Sequence, residues 1–116
     1  MDASDQKPRR VQRKRTKGWR LPVGVNGQKA IIVTRGTKWG NPFAAAKLGS
    51  NGAAKSAFQM WLQGQIWPEF RPELRAWMLE NLPTLRGRDL CCFCGADEYC
   101  HADVLLQKAN EVPNAQ

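Results

Sequence analysis

The stretch Leu90–Leu106, LCCFCGADEYCHADVLL, decides the fold, and it holds all four cysteines (Cys91, Cys92, Cys94, Cys100) and the only histidine, His101. An apolar run enters the stretch, a short polar loop follows, and a segment with apolar residues at helical spacing leaves it. The pattern predicts a strand, a loop and a helix, with Cys100 and His101 where the helix begins.

A second apolar run, Ala30–Thr34 (AIIVT), contains three consecutive β-branched residues. It predicts a strand covered on both faces, as in an α/β sheet. Apolar residues at helical spacing predict two further helices between these strands, at 53–66 and 72–81. We therefore expect one α/β domain over residues 21–112, small and three-layer-like, with a short, mainly parallel sheet flanked by about three helices. Residues 113–116 are expected to form a tail.

Charge is distributed unevenly along the 116 residues, whose net charge is +8. Residues 1–20 contain eight Lys or Arg and two Asp, so this segment carries +6 of that charge. We expect a basic, partly disordered N-terminal arm that attracts polyanions; the alternative is a solvated tail. Trp19, beside Lys17 and Arg20, either stacks on a base or packs on the domain.

Composition excludes several classes of protein. With 42% hydrophobic residues and five tryptophans, the chain does not have the composition of a disordered protein. It contains no run of about 18 apolar residues, so we expect no membrane partner. The charged N-terminus lacks the apolar region of a secretion signal, and four clustered cysteines suit a reducing compartment, so we expect a cytoplasmic location.

The loop Arg35–Phe43, RGTKWGNPF, follows the strand at Ala30–Thr34 and is the second candidate site segment. Ligands in open α/β sheets bind beyond the carboxyl ends of the strands. Arginine and lysine suit a phosphate, glycines allow close backbone approach, and an asparagine can bond a base or ribose. The alternative is an ordinary surface turn with a buried tryptophan. With the basic arm, the candidate ligand-binding residues are Arg13, Arg15, Trp19, Arg35, Lys38, Trp39, Gly40 and Asn41.

The cysteine segment has three interpretations. Cys92, Cys94, Cys100 and His101 could form a zinc tetrahedron, although the spacing lacks the usual knuckles. Alternatively, Cys100 is a catalytic thiol at a helix N-terminus, with His101 or Asp103 as its acid or base. The third interpretation is packing, since free cysteines are good core residues, and we prefer it for Cys91 and Cys92.

The blocks WGNPF (39–43), LRGRDL (85–90), CxC followed by CHADVLL (92–106) and the arm RVQRKRTKGWRLP resemble a family of phages and bacteria, domain-of-unknown-function family 4326. The resemblance extends from Arg10 to Asn110. It implies a small, often phage-borne α/β domain, acting in the host cytoplasm, and no established activity. Its signature positions would be Arg35, Lys38, Trp39, Gly40, Asn41, Pro42, Cys92, Cys94, Cys100, His101 and Asp103. This chain has TRGTKWG where the family is more like GRPSKWG, which leaves the turn before Trp39 less rigid.

Both candidate segments follow a predicted strand, so parallel strands would bring them to one edge of the sheet. We expect a cleft there that binds a phosphate-bearing ligand, a nucleotide or a nucleic acid. One alternative is a nucleotide- or nucleoside-directed hydrolase or transferase that uses Cys100, His101 and Asp103. Another is a zinc-stapled protein that binds nucleic acid or a host protein.

Overall fold

The computed structural model describes residues 8–24, 27–95 and 98–111. Disorder is predicted from the sequence over residues 1–8; residues 1–7 of that segment and the predicted tail at 113–116 lie outside these ranges. Among the described residues, no helix combines the length and the apolar character needed to cross a bilayer.

The sheet has three strands, all parallel: β1 (Arg10–Gln12), β2 (Ile31–Ile32) and β3 (Leu90–Cys92). Their order is β1-β3-β2, so β3 is the central strand. All three residues of β3 are buried, as expected for a continuous apolar run that is paired on both edges and covered on both faces. The predicted small α/β domain with a mainly parallel sheet is confirmed.

Strand β1 was not expected, because its sequence, RVQ, lies in the segment that the charge pattern assigned to the arm. It pairs along β3 with Arg10 opposite Leu90. The backbone N–H of Arg9 donates to Oδ1 of the buried Asp89 at 3.0 Å, which anchors the start of the strand. An edge strand keeps its outer side in solvent and tolerates charged residues, so hydrophobic pattern does not reveal it.

The described residues form four α-helices. Three lie between β2 and β3 in the chain, α1 (Ala45–Leu48), α2 (Asn51–Leu62) and α3 (Pro72–Asn81), and α4 (His101–Asn110) follows β3. A 3-10 turn at Leu82–Leu85 follows α3. The one-turn helix α1 was not predicted. Helix α2 begins where Ser50 Oγ accepts from the Ala53 N–H at 3.0 Å, and it ends four residues before the predicted bound. Gly64, with φ of +81°, turns the chain just beyond it.

The core lies between α2, α4 and the sheet. Phe58, Trp61 and Leu62 of α2 are fully buried and pack with Leu90 of β3 and Leu105 of α4. The indole N–H of Trp61 also donates to a backbone carbonyl at 2.8 Å, so this large ring is both buried and hydrogen-bonded. This packing sets the start of α4 beside the carboxyl ends of β2 and β3.

Candidate functional site

One cavity of about 320 Å³ opens at the carboxyl ends of the three strands. Because the strands are parallel, the segments that follow them meet at this edge. The cavity wall is formed mainly by residues of four segments: the basic segment (residues 13–20), the loop after β2, the first half of α2 and the cysteine segment (residues 90–106). Its lining residues are Arg15, Thr34, Arg35, Asn41, Ala45, Asn51, Ala54, Lys55, Cys92, Phe93, Cys94, Tyr99, Cys100 and His101.

Cys100 is the N-cap residue of α4, is buried and lines the cavity, with Sγ 3.2 Å from Sγ of Cys92. Donation of the Cys92 S–H to Cys100 lowers the pKa of the Cys100 thiol to about 3. Burial opposes this shift, while His101 and the backbone N–H of Ala102 reinforce it. The same hydrogen bond, together with burial, raises the pKa of Cys92. Cys100 is therefore the thiolate of the pair.

Three sulfur atoms form a cluster at the site, since the Sγ atoms of Cys92, Cys94 and Cys100 all lie within 4.8 Å of one another. β3 ends at Cys92, and the bend at residues 93–94 brings Cys94 back toward Cys92 and Cys100. Burial raises the pKa of Cys94 to about 11. Cys91 is fully buried and lies outside this cluster, which agrees with its packing interpretation. These three cysteines could hold a metal ion.

His101 is held by two backbone carbonyls. Its Nε2 atom lies 2.9 Å from the oxygen of Val33 and 2.9 Å from that of Trp39. Because a carbonyl oxygen only accepts, Nε2 carries a hydrogen, and this assignment leaves Nδ1 facing Sγ of Cys100 at 3.8 Å. The imidazole therefore joins the start of α4 to the end of β2, and it stays outside the three-sulfur cluster.

The loop after β2 is stabilised by its own polar side chains. Arg35 donates from Nη1 to the carbonyl of Asn41 at 2.9 Å and from Nη2 to that of Phe43 at 3.0 Å. Buried Asn41 donates from Nδ2 to the Ala54 carbonyl at 3.1 Å, and its Oδ1 accepts from the Phe43 N–H at 2.9 Å. Sequence reasoning expected Asn41 to bind a base or ribose, whereas its amide joins the loop to α2.

Five of the eight predicted ligand-binding residues do not line the cavity: Arg13, described below, and the four that follow here. Trp39 is buried and packs on Trp77 with ring centroids 4.8 Å apart, which matches the alternative of a turn with a buried tryptophan. Lys38 lies over the same Trp77 ring at 5.0 Å. Gly40 packs against the backbone of its own loop, and Trp19 is half-buried outside the cavity. None of these four residues lines the cavity with the cysteines.

Asp103 forms two ion pairs and lies outside the cavity wall. Its Oδ2 atom lies 3.1 Å from Arg10 Nη1 and 3.3 Å from Lys55 Nζ. This carboxylate therefore links α4 to β1 and to α2, and it does not line the cavity. The predicted role of Asp103 as a catalytic acid or base stays a prediction.

Two arginines of the basic segment lie at the rim. The guanidinium carbon of Arg15 is 4.0 Å from the ring centroid of Phe93, and that of Arg13 is 5.0 Å from it. Arg15 lines the cavity, whereas Arg13 donates to Thr34 Oγ1 at 3.4 Å. The aromatic ring thus holds both guanidinium groups near the opening.

Sequence reasoning missed seven lining residues: the alanines Ala45 and Ala54, and the polar or aromatic residues Thr34, Asn51, Lys55, Phe93 and Tyr99. Lys55 had a readable signal, because it is a cation in a helix whose other inward residues are apolar. Tyr99 had a weaker one, as an aromatic residue in a polar loop directly before Cys100. Nothing in the local sequence marks Thr34 or Asn51.

Comparison with known proteins places the chain in a family. Neither the curated proteins nor the solved structures gave a significant match. The model of one protein family, described as a domain of unknown function, DUF4326, matches residues 11–111. This range covers all but the first residue of β1, the loop after β2, the three-cysteine cluster and all of α4. The chain belongs to the DUF4326 family, as the resemblance implied.

Proposed function

We propose that this protein binds a phosphate-bearing ligand, a nucleotide unit, in the cavity at the carboxyl ends of the strands. One observation carries the proposal: Arg15, Arg35 and Lys55 come from three separate segments and line the same cavity. No acidic side chain among the described residues lines it. Lys55 also pairs with Asp103, which lies outside the cavity wall, and Arg35 donates to two loop carbonyls, so the wall itself carries three cationic side chains and, in the described part of the chain, no carboxylate. Such a wall favours an anion with several oxygen atoms.

The remaining wall suits the rest of a nucleotide. Phe93 and Tyr99 supply aromatic surface for stacking on a base; Tyr99 is 63% exposed, and Lys55 Nζ lies 5.5 Å from its ring centroid. Thr34 and Asn51 add hydrogen-bonding groups. A cavity of about 320 Å³ is within the range of small-ligand pockets, which starts at about 300 Å³.

Titration calorimetry with a nucleoside monophosphate, the matching nucleoside and inorganic phosphate tests the proposal. We expect the monophosphate to bind most tightly, and Arg15→Gln or Lys55→Gln to weaken it about tenfold each, a loss of about 1.4 kcal/mol. Lys108→Gln is the control, because Lys108 lies on α4 and pairs with Glu111 at 3.5 Å, away from the cavity. Equal affinity for nucleoside and monophosphate, or equal effects of all three variants, would contradict the proposal.

A second candidate is a zinc centre in the three-sulfur cluster. Tetrahedral zinc with bonds of about 2.3 Å to sulfur places neighbouring sulfurs about 3.8 Å apart. Cys92 and Cys100 lie 3.2 Å apart and all three sulfurs lie within 4.8 Å, so small rotations would make the cluster fit. Cys100 and its neighbours also line the cavity, so such an ion would be reachable by the ligand.

Native mass spectrometry of protein incubated with one equivalent of Zn²⁺ tests this second candidate. We expect one bound zinc, lost in Cys94→Ser but kept in Cys91→Ser, because Cys91 is a buried thiol next to the cluster and outside it. Retention of zinc by Cys94→Ser, or its loss in both variants, would refute a site built on these three sulfurs.

A further inference from the structure

The basic segment, residues 13–20, continues from the cavity wall along the protein surface. It contains Arg13, Lys14, Arg15, Lys17 and Arg20. All but Arg13 are exposed, and among the described residues none of the five forms an ion pair with a carboxylate. Five cations within eight residues repel one another, so a matching set of anions would stabilise this surface.

Other arginines of the protein are engaged internally. Arg75 donates to the carbonyls of Trp61 and Leu62 at 3.0 Å, and Arg86 donates to that of Ala109 at 3.0 Å. These guanidinium groups stabilise the fold. Among the cationic side chains of the basic segment, Arg13 and Arg15 contact Thr34 and Phe93 at the cavity. In the described part of the chain, Lys14, Lys17 and Arg20 make no hydrogen bond or ion pair comparable to those of Arg75 and Arg86.

We propose that the ligand is a single-stranded polynucleotide, with one nucleotide unit in the cavity and its neighbouring phosphates along the basic segment. The inference rests on the proposed nucleotide site. A single monophosphate neutralises the cations of the cavity but leaves Lys14, Lys17 and Arg20 unpaired, whereas a chain supplies a phosphate for each nucleotide.

The size of the cavity favours an unpaired strand over a duplex. A volume of about 320 Å³ holds about one nucleotide, and a base that stacks on Tyr99, a lining residue, has to leave its neighbours in a helix. In a duplex each base is stacked and paired, so its entry would need an unstacking step. DNA and RNA share this chemistry, and the experiment compares both.

Fluorescence anisotropy with labelled oligothymidylate and oligouridylate of about eight nucleotides, at salt concentrations between about 50 and about 200 mM, tests the inference. The test variant is Lys14→Gln/Lys17→Gln/Arg20→Gln, whose positions do not line the cavity. The control is Lys29→Gln/Lys47→Gln/Lys108→Gln, which removes the same charge from positions outside the basic segment and the cavity.

We expect oligomers to bind at least tenfold more tightly than the monophosphate and to be displaced by it. Loss of three phosphate contacts should reduce the slope of log affinity against log salt by about 2, so the wild type loses about 16-fold more affinity than the test variant over this range. The control should keep the wild-type slope, and the test variant should keep its affinity for the monophosphate.

Two results separate the proposals. If the monophosphate binds but oligomers bind no more tightly, or if both triple variants behave alike, the polynucleotide inference is wrong and the nucleotide site stands. If neither ligand binds, the proposed function itself is wrong. Tight oligomer binding that the monophosphate does not displace also overturns the inference, because no nucleotide unit would then occupy the cavity.

Discussion

Replacement of His101 by phenylalanine tests how the site is held together. The Nε2 hydrogen lies between two carbonyl oxygens at 2.9 Å each, and the side chain is buried. Phenylalanine has a similar shape and keeps the edge-to-face contact with Phe58, whose ring centroid is 5.4 Å away. The substitution therefore removes the hydrogen-bond donor while it changes the packing little.

The magnitude follows from the loss of that donor. A buried polar group left without a partner costs about 1–3 kcal/mol, and here one hydrogen serves two carbonyls, so we expect a loss of about 2 kcal/mol in the free energy of unfolding. With an unfolding entropy of about 2.1 cal/mol/K per residue over 116 residues, this loss lowers Tm by about 8 °C.

Urea unfolding followed by tryptophan fluorescence and circular dichroism measures this loss, with an unchanged m-value as the sign that the native state is intact. His101→Gln is the matched comparison, because its amide nitrogen reaches the place of Nε2 and can donate there; we expect it to recover at least half of the loss. If the free energy of unfolding of His101→Phe is within about 0.5 kcal/mol of the wild-type value, the reasoning is refuted. A change that small is typical of surface substitutions and not of the loss of a buried hydrogen-bond donor that serves two carbonyls.

Three further predictions concern the supports of the cavity. Gly40→Ala should lower both Tm and nucleotide affinity, because its methyl group would lie 2.9 Å from a backbone Cα of the same loop; thermal melts and calorimetry measure both effects. Asp89→Ala should destabilise the protein by about 1–3 kcal/mol by leaving the Arg9 N–H unpaired, whereas Asp89→Asn keeps an acceptor and should cost less; urea unfolding compares them. Ser50→Ala should cost about 1 kcal/mol through loss of the α2 N-cap, and an equal stability to wild type in the same assay would contradict that role.

The site was only partly predictable. The sequence pattern predicted that the loop after β2 and the cysteine segment meet at one edge of the sheet, because both follow strands that were expected to be parallel. Arg35, Asn41, Cys100 and His101 do line one cavity there. Pattern did not reveal that Asn41 and His101 bond to backbone carbonyls. A polar residue in a binding loop looks the same in sequence whether it faces a ligand or its own backbone.

The sequence by itself determined the elements whose signals are local. The runs of apolar residues at β2 and β3 follow from burial on both faces, and α3 runs from Pro72 to Asn81, as predicted from the two prolines near its ends. The start of α4 at Cys100-His101 was also predicted from adjacent residues, the polar loop before it and the apolar residues at helical spacing after it. In each case the preference of a residue for its conformation depends on residues within about one turn.

Only the tertiary structure decided the features that depend on distant partners. β1 is a strand because β3, some 80 residues away in the chain, offers it an edge, and nothing in RVQ itself requires a strand. Lys55 and Tyr99 belong to the cavity because α2 packs on α4, and Asp103 is an ion-pair partner for the same reason. Such contacts arise from the packing of whole elements, and the local sequence carries no record of the partner that packing supplies.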